Sequence, residues 1–363
     1  MQSEKKKVYS GCTLCYHSCG IEVDVADGKV VNVQGQKSHP LNKGYLCPKG
    51  RATIDHIYHP SRLRHPLKKD GNDFKQISWD QALDEIADKL KDIKEKHGPE
   101  ALGLFCGSVG VENFEMVALT HRFRAAFGSP NYFSVESICY RMRIRCRQMT
   151  FGKYPVEELD SNLYILWGHN TNESDFPLRL AITENLRKGS KLVVIDPKRI
   201  KLADKAEMYL KIRPGTDGAL ALAMIHVIIN EKLYDQEFID TWTTGFDQLV
   251  PHIQQYTPEW AEKITWIPAE DIRKLARMFA TTKGAAIYQG TCTQDQQANG
   301  TQTDRALAIL QIIVGGINVP GGWVLSPRLQ IKNIFLPTEG DKQPLGTDKY
   351  PLFYELWGRT SPY

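Results

Sequence analysis

A chain of 363 residues with 42% apolar and 24% charged residues has ordinary globular composition and room for two or three domains of roughly 100 to 200 residues, which excludes the fibrous and disordered classes. Its net charge of +4 is small and dispersed, so no nucleic-acid partner is expected, and an anionic cofactor or substrate suits it better. The N-terminus carries no secretory signal and no apolar run reaches the length of a bilayer span, so the expected location is cytoplasmic; there, eight cysteines point to metal or redox chemistry rather than disulfides.

Residues 1–65 alternate short β-type runs, at Ile21 to Val25 and Val30 to Val33, with Gly, Pro and Asn turns, and they predict a small β-rich domain. Near Pro66 the composition shifts. Ser78 and Gln81 form a capping box ahead of Leu83, Ile86, Leu90 and Ile93 at helical spacing, and Gly98-Pro99 ends the helix. Residues 66–137 are expected to begin an α/β domain, with a strand over Leu102 to Cys106 and a helix from about Val111 to Phe127. In residues 138–325, apolar strands at Leu163 to Trp167, Lys191 to Ile195 and Ala285 to Tyr288 alternate with helices. Those helices are predicted over Pro177 to Arg187, Asp217 to Lys232, Pro268 to Ala280 and through Arg305 to Val314. Such alternation predicts an α/β, doubly wound, mostly parallel sheet covered by helices on both faces. Residues 326–363 mix Pro and Gly without periodicity and read as a linker into a part that is cut short.

Cys12, Cys15, Cys19 and Cys47 are spaced C-x2-C-x3-C-x27-C, three thiolates on one tight loop and a fourth from a later turn. A cubane iron–sulfur cluster takes four such thiolates, whereas structural zinc usually takes two C-x2-4-C knuckles and the second is missing here. The surrounding sequence, GCTLCYHSCGIEVDVADGKVVNVQGQKSHPLNKGYLCPKGR, resembles the 4Fe-4S domain of the molybdopterin oxidoreductases, the dimethyl sulfoxide reductase superfamily. The resemblance continues through ISWDQALDEIADKL, WGHNTNES, VVIDPKR, RPGTDGALALAMIHVIINEKLYD and ALAILQIIVGGINVPGG, over nearly the whole chain. It implies a cluster domain, two Rossmann-like α/β domains and a C-terminal domain, the last missing here. It also implies a bis-molybdopterin guanine dinucleotide cofactor carrying molybdenum or tungsten, and an electron-transfer protein or subunit as partner. Lys49, after Cys47-Pro48, matches the family lysine between cluster and pterin, where a cation eases electron passage between two anionic groups.

Three loops follow successive predicted strands, where ligands bind in open α/β sheets. Gly168, Asn170, Asn172, Glu173 and Ser174 follow the first and open a helix, so backbone approach and donors to a phosphate are available. Asp196 and Pro197 follow the second, placing a carboxylate to accept from a ribose hydroxyl or a guanine N–H. Gly215, Thr216 and Asp217 precede the next helix, and in the family the matching Asp reads the guanine base. Each loop alone is equally an ordinary cap or turn. Gly290 and Asn299 lie where the family has residues near the pterin and the substrate funnel. No G-x-G-x-x-G fingerprint is present, which argues against a simple nicotinamide dehydrogenase.

The family donates a Ser, Cys, selenocysteine or Asp to the metal, and Cys139 in SVESICYRMR occupies that position, with Cys146 the rival. Soft thiolate suits such a metal. Arg141, Arg143, Arg145 and Arg147 alternate beside it, either to steer an anionic small-molecule substrate or hold pterin phosphate, or equally to form a solvated or salt-bridged surface. Cys106 and Cys292 are expected to be small core residues. Formate dehydrogenases carry His after the ligand, where this chain has Tyr140. The leading expectation is a two-electron oxidoreductase with electrons leaving past Lys49 to the cluster. Alternatives are a non-redox tungsten hydratase of the acetylene hydratase type, which has Asp where this chain has Tyr16, and an electron-transfer subunit like the large iron–sulfur subunit of complex I.

Overall fold

The computed structural model describes residues 5–107, 114–135, 139–325 and 343–349. They fall into two compact units, Met1–Val135 with Gln330–Tyr363, and Glu136–Leu329.

The first unit opens with an antiparallel sheet of β1 (Lys5–Gly11), β2 (Gly20–Ala26) and β3 (Lys29–Gly35). β1 was not legible as a strand because its KKKVYSG run is exposed throughout; it is fixed by pairing, with Lys7 Nζ 3.0 Å from Glu22 Oε2 on β2. A connecting arm then folds back on the sheet. Asn42, fully buried, accepts from the Gly20 amide at 2.9 Å and donates to the Gly20 and Tyr45 carbonyls, so the arm's backbone groups are paired. A Cβ at Gly35 would lie 2.4 Å from the Gly44 carbonyl oxygen, so the two backbones meet only because residue 35 has no side chain. The arm ends in α1 (Pro48–Arg51) and α2 (Thr53–Tyr58).

A hairpin of β4 (Leu67–Asp70) and β5 (Asp73–Gln76) follows, then α3 (Trp79–His97). Ser78 caps α3 by accepting from the Gln81 amide at 3.1 Å, as the capping box predicts. Its apolar stripe forms as expected but stands on the surface among the described residues, with Leu83 57% and Ile86 55% exposed. β6 (Leu104–Cys106), α4 (Phe114–Phe127) and β7 (Tyr132–Ser134) complete the described part, β6 and β7 pairing in parallel. The start of the helix predicted from Val111 lies outside the described residues.

The second unit begins with α5 (Tyr140–Phe151) and β8 (Val156–Glu157). The arginine alternation therefore sits on a helix, not a strand. β9 (Leu163–Trp167), α6 (Thr171–Ser174), α7 (Phe176–Arg187), β10 (Lys191–Ile195), β11 (Met208–Leu210) and α8 (Asp217–Asn230) come next. After α9 (Gln236–Trp242), α10 (Phe246–His252), α11 (Pro258–Thr265) and α12 (Ala269–Thr281), the chain returns to the sheet as β12 (Ala285–Gln289), then α13 (Gly300–Ile313) and β13 (Trp323–Val324). The main sheet has order β11-β10-β9-β12, with all pairs parallel. Every residue of β9 and β12 is buried, which is why LYILW and AAIYQ read as unbroken runs rather than alternating ones. Each large side chain so buried contributes roughly 1.5–3 kcal/mol. Strands step outward from β9 through β10 to β11 and then return to the other side of β9 as β12. The direction reverses at β9, the position where open α/β sheets form a ligand crevice at their carboxyl ends.

Candidate functional site

In the first unit Cys12 and Cys19 close one loop, the Cys12 amide donating to the Cys19 carbonyl at 2.8 Å. Ser18 takes a positive φ of 46° inside it, which lets the loop turn tightly enough to face its thiols together. Cys47 caps α1, its Sγ accepting from the Gly50 amide at 3.5 Å. All four thiols are free. Burial pushes the Cys19 thiol up to about 11, and Cys15, Cys12 and Cys47 add to the effect, so the four sulfurs share one neighbourhood. Burial also raises the Cys12 thiol, and Lys49, exposed on α1, acts in the opposite direction as a cation within range. Among the described residues no three His, Cys, Asp or Glu side chains converge tightly enough for a single ion. An all-thiol set at this spacing suits a cubane cluster.

In the second unit the expected nucleotide loops do meet at the crevice. The Gly168 amide donates to the Ile195 carbonyl at 2.8 Å, joining the ends of β9 and β10. The Gly290 amide donates to the Trp167 carbonyl at 2.9 Å, joining β12 to β9. A Cβ at 290 would come 1.8 Å from the Gly168 carbonyl oxygen, and Gly168, at φ +59°, has Thr293 and Cys292 at its Cβ position. Neither position admits a side chain. Asp217 starts α8 and is 5% exposed; its Oδ1 accepts from the Trp167 indole at 2.8 Å and its Oδ2 from Gln297 Nε2 at 2.5 Å. Burial raises its carboxyl above the usual range against those two bonds, and Asp196 adds to the rise, so the two carboxyls face one space. Asp196 is itself raised by burial and accepts from the Lys198 amide at 2.8 Å.

Other expected members sit differently. Pro197 and Gly215 are exposed, Gly215 at φ +80°, and the Thr216 hydroxyl donates to the Arg213 carbonyl at 2.7 Å. Ser174 gives its hydroxyl to the Asn170 carbonyl at 2.9 Å, so its donor is spent on its own turn rather than on a phosphate. The side chains of Asn172, Glu173 and Asn299 make no hydrogen bond to the others among the described residues. Asn170 Oδ1, Thr171 Oγ1 and Gln297 Oε1 are buried without partners. Unpaired polar atoms beside two glycines that admit no side chain fit a bound dinucleotide. Cys292 is not the core residue expected: it is exposed at the crevice mouth, where its thiol donates to the Gly168 carbonyl at 3.3 Å.

Cys139 caps α5 with φ −146° and ψ −141°, half-buried, its side chain taking no capping bond. Residues 136–138 of its loop lie outside the described residues. Cys146 is fully buried, and burial with Asp304 beside it pushes its thiol up to about 12, the environment of a neutral core thiol. Arg147, also fully buried, is neither substrate-steering nor surface: it pairs with Glu157 at 2.7 Å, donates to Pro155 O at 3.0 Å and lies 3.7 Å from the Trp323 ring centroid. Sequence reasoning missed this, because Trp323 lies far along the chain and the contacts to Pro155 and Glu157 depend on how the turn after α5 folds back. Arg143 donates to the Gln289 carbonyl at 2.5 Å, and Arg145 to Gln148 Oε1 at 3.1 Å.

Four thiols gathered from one loop and a later turn, with two side-chain-excluding glycines at a strand-order reversal, are features of a cofactor-dependent redox protein. The chain belongs to the molybdopterin oxidoreductase family: the family model for molybdopterin oxidoreductase matches residues 62–335 and that for the molybdopterin oxidoreductase Fe4S4 domain residues 5–59. Its cofactors are accordingly a 4Fe-4S cluster and a molybdopterin with molybdenum or tungsten. It is 37% identical to acetylene hydratase of Syntrophotalea acetylenica over 97% of this chain and 50% of that protein. It is 33% identical to formate dehydrogenase H of Escherichia coli over 90% of this chain and 47% of that protein. With the thiosulfate reductase molybdopterin-containing subunit of Salmonella typhimurium the figures are 32%, 89% and 43%. The solved structure of acetylene hydratase from Pelobacter acetylenicus matches with TM-score 0.82 at 36% identity, over 96% of this chain and 50% of that one. The chain thus spans about half the length of the curated relatives it matches. No helix among the described residues is long and apolar enough to cross a membrane.

Proposed function

We propose that the protein is a two-electron oxidoreductase whose molybdenum or tungsten is held by two pyranopterin guanine dinucleotides, with electrons passing through the 4Fe-4S cluster to a separate electron-transfer protein. The observation that carries this reading is the convergence of Gly168, Gly290, Asp196 and Asp217 at the carboxyl ends of β9, β10 and β12. When bound, the metal–pterin group supplies the two-electron chemistry. The chain supplies the rest. Gly168 and Gly290 let backbone approach the pyrophosphate, Asn170 and Thr171 offer it unpaired polar atoms, and Asp196 and Asp217 accept from ribose and guanine. Cys139, with its thiol uncommitted, donates to the metal. Cys12, Cys15, Cys19 and Cys47 hold the cluster, and Lys49 supplies the nearby positive charge. The substrate is a small molecule, anionic in character, and the working compartment is the cytoplasm.

The likeness to acetylene hydratase favours a second reading, a non-redox hydration. Against it, Tyr16, 52% exposed with its ring 4.1 Å from that of His17, stands where that enzyme type carries a carboxylate. An assay of the cofactor-loaded protein with a redox dye separates the two. Substrate-dependent dye reduction or oxidation supports the oxidoreductase; conversion of an alkyne with no dye turnover replaces it with the hydratase.

A further inference from the structure

The buried charge cluster beneath α5 plays no part in the reading above. Glu157, Asp295 and Asp304 bring three carboxyls to it, and Arg143 and Arg147 bring two guanidiniums. Glu157 is consumed by Arg147 at 2.7 Å. The two aspartates are joined instead through amides. Gln289 Nε2 donates to Asp304 Oδ1 at 2.6 Å and to Gln294 Oε1 at 2.8 Å, and Gln294 Nε2 donates to Asp295 Oδ2 at 3.0 Å. Each aspartate keeps one oxygen, Oδ2 of Asp304 and Oδ1 of Asp295, buried with no partner at all.

Among the described residues carboxylates outnumber guanidiniums by one, and the uncompensated charge would fall on oxygens sealed from the surface with no donor beside them. Such a buried ion takes up a proton rather than remain charged. Among the described residues Cys146, Tyr140, Tyr154 and Tyr288 also face the cluster and bring no cation to it, and Arg305 acts on the Cys146 thiol but on neither aspartate, so the excess remains. Asp304 is fully enclosed at the second turn of α13, whereas Asp295 is 9% exposed on the loop before it.

We propose that this cluster holds one exchangeable proton at neutral pH and that the proton enters and leaves on Asp295. Burial pushes the Asp295 carboxyl up to about 7, with Arg143 acting in the opposite direction and Asp304 adding to the rise, so the two aspartates titrate as a pair with Asp295 its accessible member. The cluster shares α5 with Cys139, so the proton is stored in the same unit as the candidate metal ligand.

Infrared titration of the anaerobically purified chain reads this directly, because a protonated carboxyl has a C=O band that a carboxylate lacks. The band is expected below about pH 7 and lost above it. Asp295→Asn abolishes that step, and Asp295→Glu restores one at a shifted pH. A parent chain without a titrating band near neutrality, or a step unchanged in Asp295→Asn, overturns the proposal. The parent measurement stands alone if the Asn variant does not fold. Since it needs neither substrate nor turnover, its failure leaves the oxidoreductase reading intact, and failure of that reading leaves the proton in place.

Discussion

The Trp167 indole donates to the Asp217 carboxylate at 2.8 Å, tying the last residue of β9 to the first of α8 at the floor of the crevice. Asp217 therefore serves the fold as well as any guanine it reads. Asp217→Ala leaves the indole N–H buried and unpaired, a loss of about 1–3 kcal/mol. Guanine nucleotide released on acid denaturation should fall relative to iron, because the cluster cysteines belong to the other unit. Unchanged nucleotide content would remove Asp217 from the site.

Gly290→Ala should be worse than an ordinary loop substitution. The new Cβ falls 1.8 Å from backbone that cannot swing aside, so β12 and β9 must part at their carboxyl ends. Pterin content should drop while iron content holds. A variant that retains the parent's pterin would show that the crevice tolerates a side chain and is not where the dinucleotide lies.

Glu157 tests the buried cluster by stability. Burial alone would raise its carboxyl, but Arg147 and Arg143 hold it below the usual range. A depressed acid contributes stability that is present above its unfolded pKa and lost as pH falls through the folded one. Glu157→Gln removes the direct ion pair of Arg147, a loss of about 3 kcal/mol at neutral pH. Denaturant midpoints across the acid range should therefore fall less steeply with acidification in the variant; parallel curves would show that the pair carries no linked proton.

The fold was legible wherever burial writes an unbroken pattern. LYILW, KLVVI and AAIYQ are apolar because both faces of the sheet are covered, and Ser78 marks the start of α3 by local chemistry that needs no partner. What escaped depends on distant contacts. β1 is a strand through its pairing with β2, and Arg147 is core because Glu157 and Trp323 arrive from elsewhere. Cys292 looked like core beside a strand, yet the turn after β12 carries it to the crevice mouth. The glycines and aspartates of the site could be named from the loops after successive strands; the amide chain linking Asp304 to Asp295 could not, since it depends on how the turn between β12 and α13 folds back on the end of the strand.

Cys139→Ser should preserve the fold and the cluster, being nearly isosteric, while replacing a soft donor by a hard one. X-ray absorption at the molybdenum or tungsten edge should lose one sulfur scatterer beyond the dithiolenes. Cys146→Ser should leave that count alone, its sulfur being sealed in the core. The reverse result would shift the ligand to Cys146.

Elemental analysis of the protein purified without air tests the central claim most directly. The account predicts about four iron and four acid-labile sulfide per chain on Cys12, Cys15, Cys19 and Cys47, together with molybdenum or tungsten and guanine nucleotide. Stoichiometric zinc without labile sulfide, or a full iron complement with neither heavier metal nor nucleotide, would contradict it.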